Sequence, residues 1–263
     1  MLYAALGVLL LTGFYPLWRA WRANRATTLR QSVGWAGCAW LAWVAAAWVG
    51  AAWPGVDMRL SHYVALCLTG CAGAAVLGAR RPGAGAWNFV VASLLVVLLW
   101  PVAEGLGDPR LNVFNATFLS AALAVGVLNY LPTRTAAAVL PAGAACVVEF
   151  CVVLKWIDPA GWDSFALALL AVAPWLGLAT RRRRKPATAF DREWLAFRDR
   201  FGAVWGLPAR DQVNRAAANA GWGVVLEWRG LRTTAGNPAA PHAEALAGLR
   251  GVLKRFGPEG SPP

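Results

Sequence analysis

Seven stretches of this chain are apolar and long enough to cross a bilayer, and that limits the fold more than any motif does. A transmembrane helix needs about 20 mostly apolar residues to cross a ~30 Å hydrocarbon core. Residues 2–18, 33–53, 61–79, 87–103, 111–131, 136–156 and 162–180 meet this, some narrowly. Turn-forming segments separate them: "PGVDMR", "RRPGAG", "EGLGDPR", "PTRT" and "IDPAG". The expected fold is an all-α polytopic membrane protein, a seven-transmembrane-helix bundle.

Charge placement agrees. The chain is 14% charged and 58% apolar, whereas a soluble domain is about 25% charged. Between residues 34 and 180 there are six acids and six bases, while the last 83 residues hold fifteen bases and seven acids. This is the pattern of a membrane region (1–180), a basic juxtamembrane linker (181–186) and a small water-soluble domain (187–258), with 259–263 a disordered tail. Arginine outnumbers lysine 22 to 3, which points to a GC-rich bacterial genome and hence to the bacterial cytoplasmic membrane.

Basic residues also set direction, because cytoplasmic loops retain them. With the first linker inside, the inner loops hold Arg19, Arg22, Arg25, Arg30, Arg80, Arg81, Arg134 and the run Arg181, Arg182, Arg183, Arg184 and Lys185, twelve in all. The outer loops hold three, Arg59, Arg110 and Lys155. The N-terminus is expected outside and the C-terminus inside. The first segment has no basic stretch before it, so it reads as a retained anchor and not as a cleaved signal peptide. The net charge of +12 does not indicate nucleic acid, because its excess sits at segment ends and the tail beyond Pro186 has ten bases against seven acids.

The second segment, "GWAGCAWLAWVAAAWVGAAW", carries five tryptophans. Trp35 and Trp53 share a helix face about 27 Å apart, the spacing of two interfacial belts. Trp40, Trp43 and Trp48 fan around the helix among small residues, which reads as inter-helix or lipid packing and not as a cofactor box.

Within the membrane region, Glu149 is the acid set deepest in an apolar segment, seven residues before Trp156. A buried carboxylate is costly there, so it marks either a proton or ion relay or a helix–helix contact, with Asn115, Asn129, His62 or Lys155 as partner. Lys155 faces away on the same helix and is expected to snorkel to the surface. Cys67 and Cys71 share one face of the third segment. With His62 rotated away from them and no second histidine in the membrane region, that segment is expected to bind no metal, and His62 reads as an interfacial residue. The five cysteines all lie in apolar segments and are expected to stay unpaired. There is no HExxH, CxxC, GxSxG or P-loop, and the last segment has no lysine for a retinal Schiff base. No cofactor is expected.

In the tail, Thr188 and Asp191 can form a capping box. Phe190, Trp194, Phe197, Phe201 and Val204 then recur at helical spacing as one apolar stripe. A second helix is expected from Pro208 to Asn219. A strand follows with Trp222, Val224, Leu226 and Trp228 on one side, then a short hairpin and a third helix over His242–Phe256. Some 70 residues are marginal for independent stability, so this α+β unit is expected to lean on the membrane region, on a second copy or on a partner.

Three functional classes follow. The first is a non-enzymatic membrane component or assembly factor, a scaffold whose tail binds a protein partner or a second copy through Phe190, Trp194, Phe197, Phe201, Trp222 and Trp228. The second is a transporter or proton/ion relay centred on Glu149. The third is a membrane redox or cofactor-binding protein using Cys67, Cys71 and the tryptophans. The absence of a catalytic constellation places the first ahead.

Overall fold

The structure, a computed structural model, describes residues 1–80, 84–105, 108–180, 188–233 and 241–257. Seven helical units among them are long and apolar enough to cross a membrane. The first consists of α1 (Leu2–Thr12) and α2 (Phe14–Asn24). It is followed by α3 (Arg30–Ala52), α4 (Arg59–Ala75), α5 (Ala84–Glu104), α6 (Val113–Tyr130), α7 (Ala136–Val153) and α8 (Trp162–Thr180). A 3-10 turn, Val76–Gly78, extends α4. The bundle is all-α, as its apolar segments require.

Gly13 interrupts the first unit because Trp40 occupies the space beside it. A Cβ there would lie 2.2 Å from the Trp40 ring, and the indole Nε1 donates to the Leu10 carbonyl at 3.0 Å. The helix runs on to Asn24, six residues past the expected end of the first segment at Trp18. Arg19 and Arg22 are thus helical, and the Arg22 guanidinium lies over the Trp18 ring four residues back, 4.8 Å from its centroid.

The centre of the bundle is α4. Its span is 56% buried, the highest of the seven, and it packs against α3, α5, α6 and α7. Close approach to α6 depends on small residues: a Cβ at Gly73 would stand 3.0 Å from the Gly126 Cα, and one at Gly70 would stand 3.1 Å from the Ala122 Cβ. Along α3, Trp40 and Trp43 are buried while Trp48 and Trp53 are exposed. Their indoles find acceptors on other helices, Trp43 on Thr69 Oγ1 and Trp35 on Asn88 Oδ1.

At its C-terminus α7 stops at Val153, short of the expected Trp156. The amide of Lys155 donates to the Val152 carbonyl and that of Trp156 to the Cys151 carbonyl, the pattern of a Schellman cap. Lys155 takes the left-handed position, φ +62°, where glycine is usual. Its Nζ extends to Asp108 Oδ2 at 3.7 Å, and the side chain is exposed.

The tail comprises α9 (Ala189–Asn219), an antiparallel pair β1 (Val224–Glu227) and β2 (Gly230–Thr233), and α10 (Pro241–Leu253) with a terminal 3-10 turn, Lys254–Phe256. Thr188 caps α9, its hydroxyl accepting the Asp191 amide at 3.0 Å. The break in α9 is at Gly202 (φ +72°), not before Pro208, which lies inside the second half. The cause is external to the tail. Asn129, on α6, accepts the Val204 amide at 2.8 Å and donates to the Phe201 carbonyl at 3.3 Å, so a bundle side chain caps the second half of α9. A Cβ at Gly202 would come within 2.3 Å of that amide.

Phe190, Trp194, Phe197 and Phe201 are buried with Val224, Leu226, Leu249 and Phe256, and the same core includes Leu29, Val76 and Ala79 of the bundle. Trp228 donates to the Pro132 carbonyl at 2.6 Å and Trp205 to the Val76 carbonyl at 2.8 Å. Trp222 packs at the edge, against Gly248. The surface that completes the tail core is therefore the membrane region of the same chain. Arg181 to Lys185, Thr234, the His242 side chain and 259–263 lie outside the described residues.

Candidate functional site

The end of the bundle opposite the tail contains an ionisable cluster sealed from solvent. His62 is in the first turn of α4, Glu149 in the last turns of α7, and Asp163 in the first turn of α8. Each position has a local reason. Asp163 sits where the partial positive charge of a helix N-terminus favours an acid. Glu149 and Asp163 are brought close because α7 packs along α8, and His62 joins them because α4 also touches α7.

His62 and Glu149 are both 0% exposed and Asp163 is 2% exposed. His62 Nδ1 stands 2.7 Å from Glu149 Oε2 and 3.9 Å from Asp163 Oδ2. Tyr3 Oη donates to Asp163 Oδ2 at 3.4 Å. The Trp43 ring tilts over His62 with centroids 5.9 Å apart. One nitrogen and two carboxylate oxygens lie within 4.8 Å of one another, so these three residues could ligate a metal ion.

The short Nδ1–Oε2 contact is not aligned as a hydrogen bond. Both ring nitrogens of His62, both Glu149 oxygens and Oδ1 of Asp163 are buried without an aligned hydrogen-bond partner among the described residues. Leaving one buried polar group unpaired costs about 1–3 kcal/mol, more if it is charged. Nδ1 and Oε2 remain paired by charge at 2.7 Å, which leaves His62 Nε2, Glu149 Oε1 and Asp163 Oδ1 without a polar partner among the described residues.

Two cavities flank the cluster. At the end opposite the tail, a cavity of about 980 Å³ is lined by Tyr3, Trp53, Asp57, Lys155, Asp158 and Asp163. The hydrogen bond from Arg59 holds the Asp57 carboxyl below the usual carboxylate range, so this mouth keeps that negative charge. Towards the tail, a largely apolar cavity of about 700 Å³ is lined by Ser32, Thr69, Gly73, Cys146, Phe150 and Asp199, among others. On α7, Val152, with Lys155 just beyond the helix, lines the first cavity, Cys146 and Phe150 line the second, and Glu149 lines neither. His62 is likewise between them on α4, after Met58 and Arg59 and before Thr69. Of the cluster, Asp163 lines the first cavity, while His62 and Glu149 are buried and line neither.

The other residues singled out from the sequence lie elsewhere. Asn129 does not reach Glu149; it holds α9. Asn115 is in the first turn of α6, where its amide is capped by Asn112 Oδ1 at 2.9 Å, and it forms no hydrogen bond with Glu149 among the described residues. Lys155 is at the rim, paired with Asp108. Of the four partners considered for Glu149, His62 is the one in contact, and it is fully buried within the bundle. The thiols of Cys67 and Cys71 point to the Leu98 and Val91 carbonyls of α5, at 3.7 and 3.8 Å, away from His62. All five cysteines are free.

Sequence reasoning missed Asp163. Its signal was depth: His62 and Asp163 are each the second residue of an expected segment, and Glu149 is seven residues from the end of another. All three segment ends face the same side. Which helices are neighbours is not written in that pattern. Comparison of the chain with protein-family models, curated proteins and solved structures finds no match.

Proposed function

We propose that this is a cation carrier of the bacterial cytoplasmic membrane, with the N-terminus outside and the tail inside, and that His62, Glu149 and Asp163 hold the cation at the barrier. The single observation carrying this reading is a buried acid–histidine–acid cluster inside the bundle, with one of its acids, Asp163, lining the cavity opposite the tail. A carrier needs a binding point that each side can reach in turn, and a buried acid at such a point is functional by default. The orientation rests on the twelve-to-three partition of basic residues. It puts the wider, more polar cavity outside.

Reconstitution tests the proposal. Liposomes containing the full chain, with an imposed proton or metal-ion gradient, should dissipate it faster than empty liposomes, and Glu149→Gln should remove the difference. Equal rates for wild type and Glu149→Gln would refute the carrier reading.

The scaffold reading keeps a narrower basis. Phe190, Trp194, Phe197 and Phe201 are occupied within the chain, so a partner of the tail would use other surfaces, such as the open edges of the two-stranded sheet. In either reading 1–180 is the membrane domain, 181–186 a basic linker and 187–258 a cytoplasmic α+β domain.

A further inference from the structure

We infer that the cluster binds one divalent transition-metal ion through His62 Nδ1, a Glu149 carboxylate oxygen and an Asp163 carboxylate oxygen. The inference rests on the cation-site reading above and names the class of ion.

Charge comes first. Two carboxylates and a neutral imidazole carry two negative charges, which one divalent ion balances inside a region that tolerates no excess. Ligand type comes second. Calcium and magnesium take six or more oxygens, whereas one imidazole nitrogen with two carboxylate oxygens suits zinc, cobalt, manganese or iron(II). Geometry comes third. Ligand atoms about 2.0–2.2 Å from a tetrahedral zinc are roughly 3.2–3.6 Å from one another. The three residues bring theirs within 4.8 Å, with Nδ1 2.7 Å from Glu149 Oε2 and 3.9 Å from Asp163 Oδ2, a spread on both sides of that range which side-chain rotation would even out around an ion. Such an ion would engage Nδ1 and one oxygen of each acid, and leave His62 Nε2 and the second Glu149 oxygen.

Support and access are present. Tyr3 holds the Asp163 carboxylate by a hydrogen bond, the outer-layer contact that orients metal ligands, and Trp43 fixes the imidazole face. Asp163 and Tyr3 line the outer cavity, so an ion entering there meets Asp163 first. The open coordination position would belong to water or to the next ligand on the path.

The full chain in detergent micelles, stripped with a chelator, should take up one Co²⁺ per molecule with visible ligand-field bands, and Zn²⁺ should displace it. Glu149→Gln and Asp163→Asn should each weaken Co²⁺ binding at least a hundredfold, and Tyr3→Phe roughly 10–100-fold. If one acid variant fails to fold, the other tests the same ligand set. Absence of stoichiometric Co²⁺ binding by wild type, or binding unchanged in a folded acid variant, overturns the metal. Proton flux that depends on Glu149 in a chain that binds no Co²⁺ would remove the metal and leave the carrier standing. Co²⁺ binding without any flux would do the reverse.

Discussion

Asn129 fastens two parts of the molecule with one side chain. Its oxygen caps the Val204 amide and its nitrogen serves the Phe201 carbonyl, at the point where Gly202 leaves both groups without helical partners. Asn129→Ala removes both bonds at a buried site, which should weaken tail docking by about 1–3 kcal/mol. Limited proteolysis of membranes should then cut near Gly202 faster than in wild type, while the bundle stays protease-resistant. An unchanged cleavage rate would show that Trp205 and Trp228 hold the tail without it. Asn129 was visible in the sequence as a polar residue in an apolar segment. Its partner was not, because a side chain that caps a distant backbone leaves no spacing to read.

At the scale of elements, the α4–α6 crossing sets backbone against backbone and has little room for added volume. A side chain at Gly73 meets Gly126 backbone at 3.0 Å, and backbone cannot rotate aside. Gly73→Val should cost about 1–3 kcal/mol through overpacking and lower the melting temperature in detergent, whereas Gly85→Val, where a Cβ meets nothing within 4 Å, should leave it unchanged. Equal effects of the two changes would mean that α4 and α6 are not in close contact. Segment positions were legible because hydropathy alone makes a span. Their ends were less so: "WRAWRAN" remains helical because arginine is a good helix former, and α7 ends early on an unusual left-handed lysine. The tail stripe Phe190, Trp194, Phe197 and Phe201 was readable from its 3.6-residue period. The break at Gly202 was not, since Pro208 is the stronger local signal and the cause lies 72 residues away in α6.

For the whole molecule, the arrangement puts Arg80 over Trp205 and Arg134 beside Asp199, both at the tail end. A reporter active only in the cytoplasm, fused after Pro263, should be active, and one active only outside should work when inserted after Asp158. Exchanged activities would invert the carrier and place the 980 Å³ cavity inside. The candidate site itself was only partly written in the sequence. Glu149 stood out by depth and His62 was among its expected partners, but Asp163 reads as a helix-start residue and becomes a site residue only through the pairing of α7 with α8.

The central claim is that His62, Glu149 and Asp163 are kept for a cation and not for holding α4 to α7. A buried ion pair that only ties helices can be exchanged for apolar residues with little loss, often with a gain, whereas removal of one partner is costly. The decisive measurement is therefore the thermal melt of the double variant His62→Leu, Glu149→Leu in detergent without added metal, alongside its flux in liposomes. The expected outcome is a melting temperature equal to or above that of wild type, as apolar replacement of a buried ion pair allows, and no flux. Flux equal to that of wild type in this variant would show the pair to be structural and contradict the cation reading.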